Sequence, residues 1–327
     1  MLHRHIMHIY IFAFMSFNHV PFPVSYIIYL WMKQYLILFL AMCFLISPAI
    51  SAEQETINEK TASEAVLDAS SMRIICLTAA TGEISYAIGV GDNVIGRGEY
   101  CDYPEEILTK PELYSGDNTN IEQIIALSPD MVFMSTMAQT KDQVHALEKL
   151  GFRIVVIDAH TIEEIYESIE LIGVEVGRNE EAAELVLEMK TTFHDLSERA
   201  KGKLDGEKTI YFEVSPLEWG IWTGGRNTFM NEIGHMLGLE NTFHDIDGWA
   251  QISQEQIIER NPDYIVTLAM YYGALISTDE IMGRAGWSDI TAIQNEHVFY
   301  IDSNEITRPS PRLMRAATDL YTLIYES

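Results

Sequence analysis

The chain has 327 residues, of which 48 are acidic and 21 are Lys or Arg, so its formal net charge at pH 7 is −27. Such an acidic protein is not expected to bind nucleic acid through its phosphates or to lie flat on an anionic membrane. Three cysteines are too few for a disulfide scaffold, so stability has to come from a hydrophobic core. The length is large for one core and favours two lobes.

The first 52 residues have the composition of an export signal. They contain no Asp or Glu, and the apolar run YLILFLAMCFLI (35–46) lies between Lys33 and the small residues of SPAISA (47–52). A basic start, an apolar centre and a small-residue exit are typical of a secretory signal peptide. We therefore predict an upstream extension over 1–31, a signal peptide over 32–52 and a polar linker over 53–71. The alternative is an uncleaved membrane anchor over roughly residues 24–46, which is long enough to span.

From residue 72 onward, apolar runs alternate with helical segments. Short β-branched runs without alternation are typical of buried parallel strands, and there are four of them: RIICLT (73–78), NVIGRG (93–98), MVFMS (131–135) and RIVVID (153–158). Helices are predicted between and after them, with Thr81 and Thr161 as N-caps and with Gly89 and Gly151 as stops. This order predicts a doubly wound α/β lobe over 72–178.

One long helix is predicted over 179–200, and a second α/β lobe over 201–327. The helix carries an apolar stripe at helical spacing, made of Ala182, Leu185, Val186, Met189, Phe193 and Leu196. At 1.5 Å per residue it would be about 33 Å long, enough to connect two lobes. Strands and helices then resume in TIYFEVS (209–215), NTFMNEIGHMLG (227–238), DYIVTLA (263–269), HVFYID (297–302) and a closing helix over 311–325.

A short phrase occurs in both lobes, as NIEQIIALSPDMVF (120–133) and as SQEQIIERNPDYIV (253–266). Each copy predicts a capping box, a pair of core-facing isoleucines and a proline stop: Asn120, Gln123, Ile124, Ile125 and Pro129, then Ser253, Gln256, Ile257, Ile258 and Pro262. The second helical residue, Glu122 or Glu255, is predicted to be free and solvent-facing. It is either a residue favoured by the helix dipole or half of a two-point socket for Arg side chains of a partner.

The order and spacing of these segments resemble the extracytoplasmic substrate-binding proteins of ABC importers for cobalamin, iron siderophores and haem. The resemblance covers about residues 72–325. It is carried by the residues from RIICLTAATGEISYAIGVG (73–91) to EYCDYPEE (99–106), by the repeated phrase, by the long helix, by GGRNTFMNEIGHMLGLEN (224–241) and by RPSPRL (308–313). EYCDYPEE is especially similar to the cobalamin-binding type.

The resemblance implies a fold and a set of partners. The fold would be two Rossmann-like lobes with parallel central sheets, joined by one rigid helix, with a ligand cleft between them and small opening motions. The protein would be an exported monomer, periplasmic or at the outer face of the cytoplasmic membrane, and not an enzyme. It would deliver its ligand to a permease dimer with ATPase subunits. Glu122 and Glu255 match the family's two docking glutamates, which contact Arg residues of the two permease subunits.

The resemblance also implies a ligand-binding set, made of Tyr100, Trp222, Trp249 and Arg308. Large flat rings suit a big, partly apolar ligand, so we expect a corrinoid. The family has a further tryptophan six residues before the first docking glutamate, where this chain has Gly116. That departure leaves a different corrinoid, or an iron chelate such as a siderophore or haem, as the alternative.

Other functions find less support in the sequence. There is no GxSxG motif and no Walker loop, and no third glycine of a dinucleotide loop follows Gly89 and Gly91. His235 and His244 lack further ligands at a zinc-site spacing. A chelatase-like enzyme and a free-metal binder are therefore less favoured, and we expect no metal site and no cofactor. Whether Cys76 and Cys101 form a disulfide is left open.

Overall fold

A computed structural model describes residues 71–116, 119–136, 139–268 and 277–326. The predicted extension, the signal peptide and nearly all of the predicted linker lie outside these ranges. Within them, no helix combines the length and the apolar character needed to cross a bilayer. The described residues belong to one compact unit that begins at Asp68.

The N-terminal lobe is a parallel sheet flanked by helices. Its described strands are β1 (Ile74–Cys76), β2 (Val94–Gly98), β3 (Glu112–Leu113), β4 (Met131–Met134) and β5 (Arg153–Val156). Its helices are α1 (Ala79–Ala87), α2 (Ile121–Leu127), α3 (Lys141–Lys149) and α4 (Ile162–Val176). The strand order is β3-β2-β1-β4-β5. Strands β1 and β4 are buried along their whole length, as apolar central strands covered on both faces should be.

Helix α1 begins earlier than predicted. Its N-cap is Thr78, which directly follows β1, has an extended backbone and accepts a hydrogen bond from the Thr81 N–H. Thr81 is therefore a buried residue of the first turn, and its own hydroxyl donates to the Thr78 carbonyl. The prediction of Thr81 as the cap was wrong because the strand-to-helix connection is shorter than assumed. The predicted cap of α4, Thr161, is confirmed with a complete capping box.

Helix α5 (Asn179–Ala200) has the predicted bounds and joins the two lobes. Its buried residues recur every three or four positions: Ala182, Val186, Met189, Phe193, Leu196 and Ala200. They belong to a hydrophobic core that also contains Phe133 of the N-terminal lobe and Phe212 of the C-terminal lobe. The core is therefore continuous from one lobe to the other, along the length of this helix.

The C-terminal lobe has a second parallel sheet and an additional antiparallel ribbon. Its described strands are β6 (Thr209–Glu213), β7 (Ile221–Gly224), β8 (Glu240–Asn241), β9 (Trp249–Ile252), β10 (Tyr264–Leu268) and β11 (Val298–Ile301). Its helices are α6 (Phe229–Met236), α7 (Gln254–Arg260), α8 (Thr278–Met282), α9 (Thr291–Gln294), α10 (Ser303–Ile306) and α11 (Leu313–Tyr325). The parallel sheet has the order β11-β10-β6-β8, and β7 pairs with β9 as the ribbon.

The two sheets have matching topology. The order β2-β1-β4-β5 of the first sheet corresponds to β8-β6-β10-β11 of the second. Helix α1 then corresponds to α6, α2 to α7, and α4, which follows the last strand of its sheet, to α11. This confirms the predicted fold class of two Rossmann-like lobes joined by one long helix. The β7–β9 ribbon was not predicted, and in the described part of the N-terminal lobe nothing corresponds to it.

Candidate functional site

The predicted ligand-binding residues lie beyond the carboxyl ends of strands. Tyr100 follows β2 by two residues, Arg308 lies in the segment between β11 and α11, and the two tryptophans lie on the ribbon that follows β6. In open α/β sheets, ligands bind in the crevice at this end of the strands. The fold thus places all four residues on the side where a ligand is expected.

The ribbon brings Trp222 and Trp249 onto one face. In its register Trp222 is opposite Gln251 and Gly224 is opposite Trp249, and opposite residues of an antiparallel pair share a face. The two tryptophans are therefore diagonal neighbours. Trp222 is 41% exposed, whereas Trp249 is half-buried and packs edge-to-face on Phe229, with 5.8 Å between ring centroids. The ribbon offers one accessible ring beside one ring that the core holds in place.

The ribbon is fixed to the end of β6. The Val214 N–H donates to the Trp222 carbonyl at 2.9 Å, and the Trp222 N–H donates to the Ser215 hydroxyl at 3.0 Å. Gly220, with φ +82°, precedes β7, and a Cβ there would lie 1.8 Å from the Gln251 amide nitrogen. The positive φ favours glycine at this position, and a side chain there would also displace the Gln251 amide. These constraints set the position of the Trp222 ring.

Arg308 lies in a dense ionic network instead of pointing freely into a cleft. Its guanidinium donates to Glu83 at 3.1 Å, to Asp102 at 3.0 Å and to Asn304 at 2.6 Å, and its side chain is only 12% exposed. Burial pushes the pKa of Asp102 upward, but the hydrogen bonds and charge of Arg308 outweigh it and leave that pKa below its usual value. The predicted contact of Arg308 with a ligand stays a prediction.

Tyr100 is 54% exposed, and the two residues that follow it in its loop are held by contacts with the rest of the protein. The next residue, Cys101, is buried and its thiol donates to the Cys76 carbonyl at 3.4 Å. Asp102 then binds Arg308. Both thiols are free, so the disulfide left open above is not formed in the structure. Burial raises the pKa of the Cys76 thiol to about 11, and it raises the pKa of Cys101 as well.

The two glutamates predicted to dock on the permease have matching positions on matching helices. Glu122 is the second residue of α2 and Glu255 is the second residue of α7, and both are exposed. The Glu255 N–H and the Ser253 hydroxyl hold the pKa of the Glu255 carboxylate below its usual value. The fold therefore presents one carboxylate per lobe at equivalent helix starts.

Only one of the two predicted capping boxes is complete. Ser253 and Gln256 exchange both bonds, at 3.3 and 2.9 Å. Asn120 accepts from the Gln123 N–H at 3.1 Å, but its own N–H donates to the Tyr114 carbonyl, so no bond returns from Gln123. The loop before α2 supplies that acceptor, and no sequence signal indicated it.

The predicted core position was right for one isoleucine of each pair and wrong for the other. Ile124 and Ile257 are fully buried, whereas Ile125 is 43% and Ile258 is 39% exposed. Consecutive residues of a helix point about 100° apart, and each of these two short helices packs through one face, so only one isoleucine of each pair is buried. Each exposed isoleucine comes one turn after Glu122 or Glu255.

A buried ion pair lies at the end of β6 and was not predicted. Glu213 is fully buried, and both terminal nitrogens of Arg284 donate to it at 2.6 Å. Burial raises the pKa of Glu213 even though Arg284 and Tyr211 each act to lower it. Arg284 also packs on the Trp287 ring at 4.6 Å. The pair fastens the segment after α8 to the central strand of its sheet.

Sequence reasoning also missed exposed aromatic residues and two interlobe glutamates. Tyr114 directly follows β3 and is 53% exposed, and Trp219 precedes the ribbon and is 52% exposed. An aromatic residue just after an apolar run could have indicated them. Glu83 of α1 and Glu232 of α6 each bind the opposite lobe, and the similar phrases GEI (82–84) and NEI (231–233) could have indicated them.

A cavity of about 650 Å³ lies beside Glu83. Tyr86, Tyr103, Lys110, Arg312 and Met314 are among the residues that line it. Its described lining includes none of the four predicted ligand-binding residues, although Glu83, which lines it, binds Arg308. Across the described ranges, no group of three or more His, Cys, Asp or Glu side chains could hold a metal ion.

Comparison with known proteins agrees with this arrangement. A family model described as periplasmic binding protein matches residues 74–305. An uncharacterized ABC transporter substrate-binding lipoprotein of Bacillus subtilis, YvrC, is 34% identical over 83% of this chain and 85% of its own length. The vitamin B12-binding protein of Salmonella typhimurium is 27% identical over 76% of this chain and 88% of its own length.

A solved structure gives the same fold. The crystal structure of a possible iron-binding, periplasmic solute-binding protein from Staphylococcus epidermidis superposes with a TM-score of 0.67. The two chains are 29% identical, and the alignment covers 77% of this chain and 98% of the other.

Proposed function

This chain belongs to the periplasmic binding protein family, and from that premise we propose that it is the substrate-binding protein of an ABC importer. Family membership places it outside the cytoplasm, in the periplasm or at the outer face of the cytoplasmic membrane. It captures a corrinoid, a cobalamin-like ligand, and delivers it to a permease dimer with its ATPase subunits. It acts as a monomer and releases the ligand chemically unchanged.

The observation that carries the corrinoid proposal is the pair of tryptophans on one face of the β7–β9 ribbon. Trp249 is held by Phe229 and Trp222 is accessible, so the ribbon carries two large aromatic rings on one face at the carboxyl end of the strands. A flat macrocycle buries much area on such rings at a low entropic cost. The relative named as a vitamin B12-binding protein supports the same ligand class.

An iron chelate, either a ferric siderophore or haem, is the second candidate. Gly116 takes the place of the tryptophan that the cobalamin-binding type has in the N-terminal lobe, so one flat ring is missing there. The Staphylococcus epidermidis structure is described as a possible iron-binding protein. The first observation favours a ligand that contacts the N-terminal lobe through fewer aromatic residues, and the second supports iron as part of the ligand.

Tryptophan fluorescence distinguishes the two candidates. The purified protein is titrated with cobalamin, cobinamide, haem and ferric siderophores, and a corrinoid should quench the fluorescence at micromolar or lower concentration. Trp222→Leu should weaken corrinoid affinity roughly three- to tenfold, and Trp222→Phe should restore part of it because a flat ring is retained. Quenching by a siderophore or haem alone would exclude the corrinoid and leave the importer role in place.

A further inference from the structure

Two glutamates occupy equivalent positions in the two lobes. Glu83 lies on α1 and Glu232 on α6, the first helix of each lobe, and each is followed by an isoleucine. Six residues after each glutamate comes a glycine with positive φ, Gly89 or Gly238. The two helices are therefore in register, and the glutamates are related by the same pseudo-twofold symmetry that relates the two sheets.

Glu83 binds the C-terminal lobe through side chains. Its carboxylate accepts from Arg312 Nε at 2.9 Å, from Arg308 Nη1 at 3.1 Å and from the Ser310 hydroxyl at 2.5 Å. The Glu83 side chain is only 2% exposed. Arg312 and Ser310 immediately precede α11, the last helix of the C-terminal lobe. We call this set the Glu83 contact.

Glu232 binds the N-terminal lobe through the backbone. Its carboxylate accepts from the Ile162 N–H at 2.6 Å, and Ile162 is the first residue of α4, the last helix of that lobe before the connector. Close by, the Phe229 N–H donates to the His160 carbonyl at 2.6 Å. We call this set the Glu232 contact. Both contacts cross from one lobe to the other.

The two contacts follow one plan. In each, the first helix of one lobe places a carboxylate at the start of the last helix of the other lobe, where the helix dipole favours negative charge. We infer that Glu83 and Glu232 are positioning residues that jointly fix the separation of the two lobes. Neither is assigned to the ligand or to the permease, so this role is additional to the binding and docking residues above.

Each contact also leads to a predicted ligand-binding residue. Arg308, which binds Glu83, also binds Asp102, two residues from Tyr100. Phe229, which donates to His160 in the Glu232 contact, packs on the Trp249 ring. Fixing the lobe separation therefore fixes the Tyr100 loop relative to the ribbon tryptophans. This consequence for affinity, unlike the separation itself, rests on the proposed function.

Amide hydrogen exchange in the ligand-free protein tests the inference without any assumption about the ligand. The Ile162 and Phe229 amides cross the interface at the Glu232 contact and share no contact with Glu83. If both glutamates oppose one lobe-opening motion, Glu83→Gln should speed exchange at these two amides about tenfold or more, as loss of a charged hydrogen bond implies. Glu232→Ala should have a similar effect, Glu232→Gln a smaller one, and the double variant roughly the product of the two.

The control is Glu167→Gln, which removes one carboxylate charge from an exposed side chain of the same helix α4 and should leave both amides unchanged. If Glu83→Gln changes only amides near Glu83, the two contacts act locally and the inference is overturned. Titration of the same variants with cobalamin then measures whether the affinity for the corrinoid falls in proportion to the increase in exchange rate. Faster exchange at both amides without any ligand binding would uphold the positioning role and count against the proposed function alone.

Discussion

The N-terminal and C-terminal lobes share a strand order but differ in what they add to it. Both carry an exposed glutamate at the start of an equivalent helix, and both carry an interlobe glutamate on the first helix. Only the C-terminal lobe, among the described residues, has an antiparallel ribbon with two tryptophans.

Residues of this protein can therefore be sorted by whether the surface that they contact is twofold symmetric. A permease dimer is twofold symmetric, and the interface between two similar lobes is pseudo-twofold, so residues serving either should occur once per lobe. A corrinoid or an iron chelate has no such symmetry with respect to the lobes, and its contacts need not recur. By this reasoning we propose that the recurring glutamates serve docking and positioning, and that the ribbon contacts the ligand.

The largest effect is expected from reversing the charge of both docking glutamates. Glu122→Arg together with Glu255→Arg should abolish binding to the reconstituted permease. Each change replaces an attractive pair by a like-charge contact, at a cost of roughly several kcal/mol per site. Either single change should weaken docking only in part, because the other lobe still holds.

Ligand titration and a melting curve are the controls for that double variant. Both should be nearly unchanged, since Asn120 and Ser253 keep their capping bonds and only a small dipole contribution is lost. Normal docking by the folded double variant would show that Glu122 and Glu255 are only favourable residues at helix starts.

The next largest effect is expected from breaking the buried ion pair, which is found at only one of two equivalent strand ends. β6 ends in Glu213, paired with Arg284, whereas β1, which has the same place in the other sheet, ends in the neutral Cys76. Arg284→Met leaves a fully buried carboxylate without its partner and should lower the free energy of unfolding by about 3–5 kcal/mol. Chemical denaturation measures it.

The double variant Arg284→Met with Glu213→Leu should recover part of that loss, because an apolar pair of similar volume avoids the cost of burying charge. Recovery should be incomplete, because the buried Tyr211 hydroxyl, which donates to Glu213 at 3.2 Å, loses its acceptor. Equal loss in the single and double variants would mean that packing, rather than the unpaired charge, is responsible.

The predictability of the fold and of the site differs for physical reasons. The parallel strands follow from continuous apolar runs, which are typical of strands in a sheet that helices cover on both faces. Helix α5 follows from apolar residues that recur every three or four positions. The β7–β9 ribbon, the pairing of Arg308 with Asp102 and the choice of Ile124 rather than Ile125 as the buried residue depend on contacts between distant residues. A sequence pattern gives the residue types at these places but not their neighbours.

A smaller effect concerns the charges around the two interlobe contacts, which should respond to acid in opposite directions. The pKa of Asp102 is lowered, so its contribution is present above its unfolded pKa and is lost as pH falls through the folded pKa. The pKa of Glu232 is raised, because burial and the nearby Glu164 and Glu163 outweigh Ile162 and His235, so its contribution is present at low pH and is lost as pH rises through the folded pKa.

Stability of Asp102→Asn and of Glu232→Gln, each compared with the unchanged protein between pH 3 and 7, measures this opposition. The stabilisation lost in Asp102→Asn should be about 1 kcal/mol near neutral pH, since the carboxylate is partly exposed, and should shrink below about pH 4. The stability of Glu232→Gln relative to the unchanged protein should change with pH in the opposite direction, and this change should occur above about pH 4.5. If the two stability differences changed with pH in the same direction, Asp102 and Glu232 would not respond to acid in opposite ways, and the prediction would be wrong.

The smallest effect tests whether docking uses more than charge. Ile125 and Ile258 lie one turn after the docking glutamates and are about two-fifths exposed, so Ile125→Ala with Ile258→Ala should cost little stability. If the permease covers these side chains together with the glutamates, the double variant should weaken docking roughly three- to tenfold through lost apolar burial. Leu187→Ala, at a 65% exposed residue of α5, is the matched control and should dock normally. An apolar residue that recurs with the glutamate in both lobes has the symmetry of the permease, so unchanged docking of the isoleucine variant would limit the recurring interface to the two carboxylates.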